Sequence, residues 1–185
     1  MPVSPHEDPD VARLMSAPLA EQAATMKAWG LPEAGLLVLM SLWENRCFFC
    51  ASPAVTNPPR DSWTKWPPIP PYLAGNAQLK LDMLCIGGTE PSSHPDFTRA
   101  ITSAIDAGFS NIQVMTSGLR LAEPGGATKW ADLGITSIAV PIYGSTADLH
   151  DAVCGTPSHS RLLRAIDHAQ TVGIQVHLHT LALQR

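Results

Sequence analysis

The chain reads as an α/β fold of about five parallel strands with outer helices, and three observations predict it. Short apolar runs recur along the sequence with helical patterns between them. The connections are too long for hairpins and long enough for right-handed crossovers. Within several runs, alternate residues separate by polarity, as they do on the two faces of a strand. Five such units build either an open doubly wound sheet or an incomplete barrel, and composition does not choose between the two.

Residues 1–33 read as an N-terminal helical extension, with 34–185 as the core. Asp8 or Asp10 caps the extension, Val11, Leu14 and Met15 recur at helical spacing, and Pro18 breaks it before a second piece ending near Gly30. The strand runs are Leu36–Leu42, Leu79–Ile86, Asn111–Thr116, Thr136–Ile142 and Ile174–Leu181. Between the first two, residues 53–75 contain seven prolines, together with Trp63, Trp66 and Tyr72. Proline removes backbone donors and blocks helix interiors, so this crossover is expected to be mostly extended loop, a packed irregular connection in preference to a lid or a partner-binding loop.

Later connections are clearer. Ser93 is placed to cap a helix over Pro95–Ala107, stopped by Gly108. A shorter, glycine-interrupted helix is expected between Leu119 and Leu133. Ser158 is placed to cap the next, with Leu162, Leu163, Ile166 and Ala169 as its buried stripe and Gly173 as its end. In the last strand Ile174, Val176 and Leu178 share one face, while Gln175, His177 and His179 share the other. In a barrel that polar face would point toward a site at the C-terminal ends of the strands. Either histidine is equally well read as satisfied by a neighbouring backbone group.

Composition narrows the function classes. The 185 residues suffice for one domain with a real core and hardly for two. Hydrophobic residues make up 45% and charged residues 15%, which excludes a disordered chain. A net charge of −4 gives no electrostatic reason to expect a nucleic-acid partner. No apolar run reaches the ~20 residues of a membrane helix, and Met1–Asp10 lacks the pattern of a secretion signal. The expectation is a cytoplasmic protein with neither membrane nor nucleic acid as partner.

Four cysteines remain to be explained. Cys47 and Cys50 stand too close for easy pairing, and Cys85 and Cys154 fall in separate elements. A C-x-x-C pair without a secretion signal is more often metal-binding or redox-active than disulfide-bonded. The other conspicuous motif is Gly87-Gly88-Thr89-Glu90-Pro91, a glycine turn ending in a carboxylate, which closes the second apolar run.

These motifs, in this order, resemble the core of the radical S-adenosylmethionine (radical SAM) superfamily from about Gly35 to Arg185. Cys47, Phe49 and Cys50 match the last part of its C-x3-C-x2-C motif, which follows the first strand. Gly87–Pro91 matches the turn after its second strand, and Met115-Thr116-Ser117-Gly118-Leu119 resembles its third-strand ending. Val140–Ser145, His150–Val153 and Gly155–Pro157 resemble the fourth strand and loop of members that modify peptides or other complex substrates.

The resemblance implies a partial (βα) barrel of the radical SAM type with an N-terminal helical extension. It also implies an iron–sulfur cluster, of four irons in this family, with Cys47 and Cys50 as metal ligands, and S-adenosylmethionine as cofactor. One electron from the cluster would cleave the cofactor and start radical modification of a peptide or complex small molecule. Gly87, Gly88 and Thr89 with the Glu90 carboxylate would receive the cofactor's ammonium. The Phe49 backbone and the Val176 side chain would lie near adenine, and Ser145 or Tyr143 would meet ribose or substrate. An electron donor is implied as a partner.

Two features depart from the family pattern. The first cysteine should stand four residues before Cys47, where the chain has Trp43. An indole N–H is only a donor and cannot bind iron. Either another group serves, with Cys85, Cys154 and His177 as candidates, or two cysteines hold the cluster, or no cluster forms. Parity argues against Cys85: if Lys80 and Asp82 face inward, it faces the helices. The family barrel also has six units, and a five-stranded sheet leaves an open edge for the extension, a second copy or a partner chain to cover. Two alternatives follow: a non-catalytic binding module without a competent cluster, and a zinc site using Cys47, Cys50, His177 and His179.

Overall fold

The computed structural model describes residues 34–39, 73, 81 and 83–180, with residues 34–39 described by their backbone alone. The expected N-terminal extension, Trp43, Cys47, Phe49, Cys50, Lys80, Asp82 and nearly all of the proline-rich crossover lie outside the described residues.

Five strands form one sheet: β1 (Ala34–Leu39), β2 (Met83–Gly88), β3 (Ile112–Met115), β4 (Ser137–Pro141) and β5 (Gln175–His179). Their spatial order is the sequence order, and every pairing is parallel. Among the described residues four α-helices accompany the strands: α1 (Phe97–Asp106), α2 (Gly126–Asp132), α3 (Ala147–Cys154) and α4 (His159–Thr171).

Strand parity shows where the helices sit. Leu84, Ile86, Ile112, Val114, Ile138 and Val140 are at most 1% exposed and pack with Ala100, Ile101 and Ala104 of α1 and with Leu162, Ala165 and Ala169 of α4. These strand residues share one face of the sheet, because the register pairs Leu84 with Ile112, Ile86 with Val114 and Val114 with Ile138. A doubly wound sheet carries helices on both faces; here the core joins them to one face of a sheet wound in a single direction. That is the topology of a partial barrel. The other face carries two rows: Cys85, Gln113, Ser137 and Gln175, then Met115, Ala139 and His177.

The structure corrects several local expectations. Cys85 shares its face with Gln113, with Sγ 3.8 Å from Oε1, and so points away from the helices. Ser93 does not cap α1: it ends a 3₁₀ turn over Pro91–Ser93, and Asp96 occupies the cap position without a side-chain bond. Ser158 does stand at the cap of α4, yet the bonds come from Asp151, whose Oδ1 accepts the backbone N–H groups of Ser158 and His159 at 2.9 Å each. Leu163 is 46% exposed, and Ala165 takes its place in the buried stripe. Finally, the stretch holding Cys154 is helical. Thr146 Oγ1 accepts the Leu149 N–H at 3.4 Å, and Gly155, at φ +66°, ends α3.

A candidate cofactor site at the C-terminal ends of the strands

β2 runs directly into the glycine turn, and Gly88 is where the backbone departs from the sheet. Its φ of +130° suits glycine, and its exposed peptide lets another molecule approach the main chain without meeting a side chain. Thr89 is 7% exposed and Glu90 is 1% exposed, so the next residues fold back into the protein.

Glu90 is held by donors from two directions. Its Oε1 accepts Ser92 Oγ at 2.6 Å, the Ser92 N–H at 3.3 Å and Thr116 Oγ1 at 2.8 Å. Its Oε2 accepts the Ser117 N–H at 2.8 Å, Ser117 Oγ at 2.7 Å and Thr116 Oγ1 at 3.0 Å. Thr116 Oγ1 in turn accepts the Gly118 N–H at 3.0 Å, which commits its own hydrogen to the carboxylate. A buried carboxylate needs several donors to offset its lost hydration, and hydroxyls with two backbone N–H groups supply them. Glu90 therefore ties the β2 turn to the β3 turn. The carboxylate expected to face a cofactor ammonium is engaged by protein on both oxygens.

The third-strand turn is built to allow this. Gly118 has φ +78°, and a Cβ there would stand 3.2 Å from Val140 Cγ1 and 3.4 Å from Leu162 Cδ1. The chain can turn under Glu90 because that position has no side chain. Beyond β4, Tyr143 is half-buried and Ser145 exposed, while Gly144 lies against α3 so closely that a Cβ would collide with Leu149 Cβ.

The predicted site residues thus separate into groups. Gly87, Gly88, Thr89 and Glu90 form one turn at the end of β2, joined to Thr116 and Ser117 at the end of β3. Ser145 follows β4 at the same end of the sheet. Val176 is not brought to the face away from the helices: it packs half-buried against the hydrophobic core, opposite Ile138. His177 is its exposed neighbour on the other face. Cys47, Cys50 and Phe49 lie outside the described residues.

Two other candidates for a third iron ligand can be placed. Burial pushes the Cys85 thiol up from its ordinary pKa, and its Sγ lies 3.8 Å from Gln113 Oε1, placed to donate to it. Cys154 is fully buried beside His150 at the C-terminal end of α3, with Sγ 3.3 Å from His150 Nε2. Among the described residues no group of three or more His, Cys, Asp or Glu side chains could hold a metal ion. Sequence reasoning missed Thr116 and Ser117 as partners of Glu90; their hydroxyls, just after an apolar strand and before Gly118, were the available signal.

A singly wound partial barrel with a glycine turn at the C-terminal end of β2 is the class of protein that fold and site define. Residues 44–184 match the Radical SAM superfamily, and the chain belongs to that family. Among curated proteins it is 32% identical over 88 residues to the mycofactocin maturase MftC of Mycobacterium tuberculosis, covering 48% of this chain and 22% of that protein. It is 27% identical over 131 residues to the GTP 3',8-cyclase of Tolumonas auensis, covering 70% of this chain and 38% of that enzyme. The chain thus spans well under half the length of these relatives. Its fold is shared with Streptococcus suis SuiB bound to the precursor peptide SuiA, at a TM-score of 0.62 and 14% identity over 95% of this chain and 38% of SuiB. HydG, a maturase of the [FeFe]-hydrogenase, matches at a TM-score of 0.61 and 15% identity, covering 97% of this chain and 43% of HydG.

Proposed function

We propose that this chain is the S-adenosylmethionine-binding core of a radical SAM enzyme that modifies a peptide. The observation that carries the reading is the Gly87–Pro91 turn, bolted through Glu90 to Thr116 and Ser117 in a chain of this family. The peptide class is supported by the similarity to a mycofactocin maturase and by the fold shared with a protein solved with its precursor peptide.

The bare Gly88 peptide fits a cofactor that must approach the main chain closely. In this reading the backbone of Gly87, Gly88 and Thr89 orients the cofactor's amino-acid end, and Ser145 meets ribose or substrate. Glu90 acts on the same site by fixing the turn, since its oxygens already accept protein donors. The Val176 side chain packs half-buried against the core, which supports a structural role for it in place of the adenine contact. Cys47 and Cys50 would hold an iron–sulfur cluster, which when bound supplies the electron that cleaves S-adenosylmethionine. The chain's own share is to position the reactants and exclude water. An electron donor, a cover for the β5 edge and a cytoplasmic setting complete the proposal.

Trp43 favours a second reading, a radical SAM-like binding module without a competent cluster. Anaerobic reconstitution with iron and sulfide separates the two. The enzyme reading expects bound iron in the native chain, a large loss in Cys47→Ser and Cys50→Ser, and a gain in Trp43→Cys. A colourless, iron-free protein would support the binding module. Unchanged iron in Trp43→Cys would count against placing the first ligand there.

A further inference from the structure

The corner where β4 passes into α3 and α4 contains a histidine that the proposed reaction does not use. His150 is 1% exposed, and both of its ring nitrogens have neighbours. The Tyr143 N–H donates to Nδ1 at 3.2 Å. On the other side Nε2 lies 3.2 Å from Ser158 Oγ and 3.3 Å from Cys154 Sγ. A backbone N–H can only donate, so Nδ1 is the accepting, unprotonated nitrogen. Ser158 Oγ is 3.3 Å from the Thr156 carbonyl, to which it donates its own hydrogen. Its lone pairs then face an Nε2–H. Both ends of the ring select the same neutral tautomer, in a chain from Tyr143 N–H through the imidazole and Ser158 to the Thr156 carbonyl.

We propose that His150 is a positioning residue whose neutral Nε2–H tautomer holds the Tyr143–Ser145 loop at the end of β4. The proposal rests on the proposed function only for what this loop faces; the hydrogen-bond chain stands without it. The loop has little other freedom: Gly144 lies against α3, and the Tyr143 ring stacks on the imidazole with centroids 5.9 Å apart. The titratable groups around the ring are consistent with neutrality. The His159 ring lies 5.4 Å away, Cys154 touches Nε2, Tyr143 covers one side, and Asp151 is committed to the first N–H groups of α4. Burial, and next His159, push His150 below the usual histidine range, with Asp151 opposing. Protonating Nδ1 would set two donors face to face at Tyr143.

The test is nuclear magnetic resonance on the full chain without ligand, reading the histidine tautomer from ring nitrogen shifts and the Tyr143 amide from hydrogen exchange. At neutral pH, Nδ1 is expected unprotonated and Nε2 protonated. His150→Asn keeps an acceptor where Nδ1 stood and should retain Tyr143 protection. His150→Gln reaches toward the Nε2 side instead and should lose about tenfold, as for one net hydrogen bond. An Nδ1–H or doubly protonated ring, or equal Tyr143 protection in the two variants, would overturn the proposal. If His150→Gln does not fold, the tautomer of the unsubstituted chain decides alone. Failure to bind S-adenosylmethionine would sink the proposed function and leave these two readouts in force.

Discussion

Glu90 shows how a single side chain can shape a site that it need not touch. Each carboxylate oxygen faces at least one backbone N–H, Ser92 on one side and Ser117 on the other. An amide in its place must turn its NH₂ toward one of them, whichever way it flips. Glu90→Gln should therefore cost about 1–3 kcal/mol despite its nearly identical shape, measured by urea denaturation. A cost near zero would mean that the carboxylate does not bridge the two turns. Gly144 makes a complementary case, in which the absence of a side chain matters. Gly144→Ala would drive a methyl into Leu149 and should cost about 1–3 kcal/mol or displace the loop, read by the same denaturation and by the Tyr143 amide signal.

At the scale of elements, α3 and α4 meet in a corner whose stability depends on pH. Asp151 is held below the usual carboxylate range first by the Ser158 backbone N–H and then by that of His159. Its contribution is present above the ordinary value of 3.8 and is lost as pH falls through the depressed folded value. His150 is also depressed, chiefly by burial, so the unfolded chain takes up its proton first. Its contribution is full above about 6.5 and declines as pH falls from there toward the lower folded value. Denaturation midpoints followed downward from neutral pH should fall in two stages, and His150→Asn should flatten the upper one. A single acid transition common to both proteins would contradict this assignment.

The same elements show what was legible in the sequence. All five strands were, because an apolar run bounded by polar or glycine punctuation is a local signal, and each predicted run overlaps one strand of the sheet. The choice between a doubly wound sheet and a barrel was not, because it depends on which side each crossover passes. The resemblance to a family supplied it, and the single packed face bears it out. Polar Lys80 and Asp82 suggest a parity for the run that turns Cys85 toward the helices. The hydrophobic match of Leu84 with Ile112 and Ile86 with Val114 sets it the other way. Helix α3 was missed since its few apolar residues make a weak stripe, although Thr146 and Gly155 marked its ends.

For the whole molecule, the sheet closes its core on the helix side and leaves the opposite face carrying Gln113, Met115, Gln175 and His177. At the β5 edge, Leu178 is 56% exposed although it continues the row of Val140, so an apolar side chain meets solvent at the end of the described sheet. The site turns, by contrast, lie over the middle strands, where the packing is complete. The part of the site legible in the sequence was the part carried by contiguous motifs. The Glu90 bridge spans residues 26 or more apart in the chain and emerged only once β2 and β3 were side by side.

The proposed function requires that this core support reductive cleavage of S-adenosylmethionine. The direct measurement is the formation of 5′-deoxyadenosine by the anaerobically reconstituted protein, given reductant and S-adenosylmethionine. Formation is expected to depend on protein and reductant and to be lost in Cys50→Ser. A protein that carries a full cluster and binds S-adenosylmethionine, yet releases no 5′-deoxyadenosine, would contradict the proposed function.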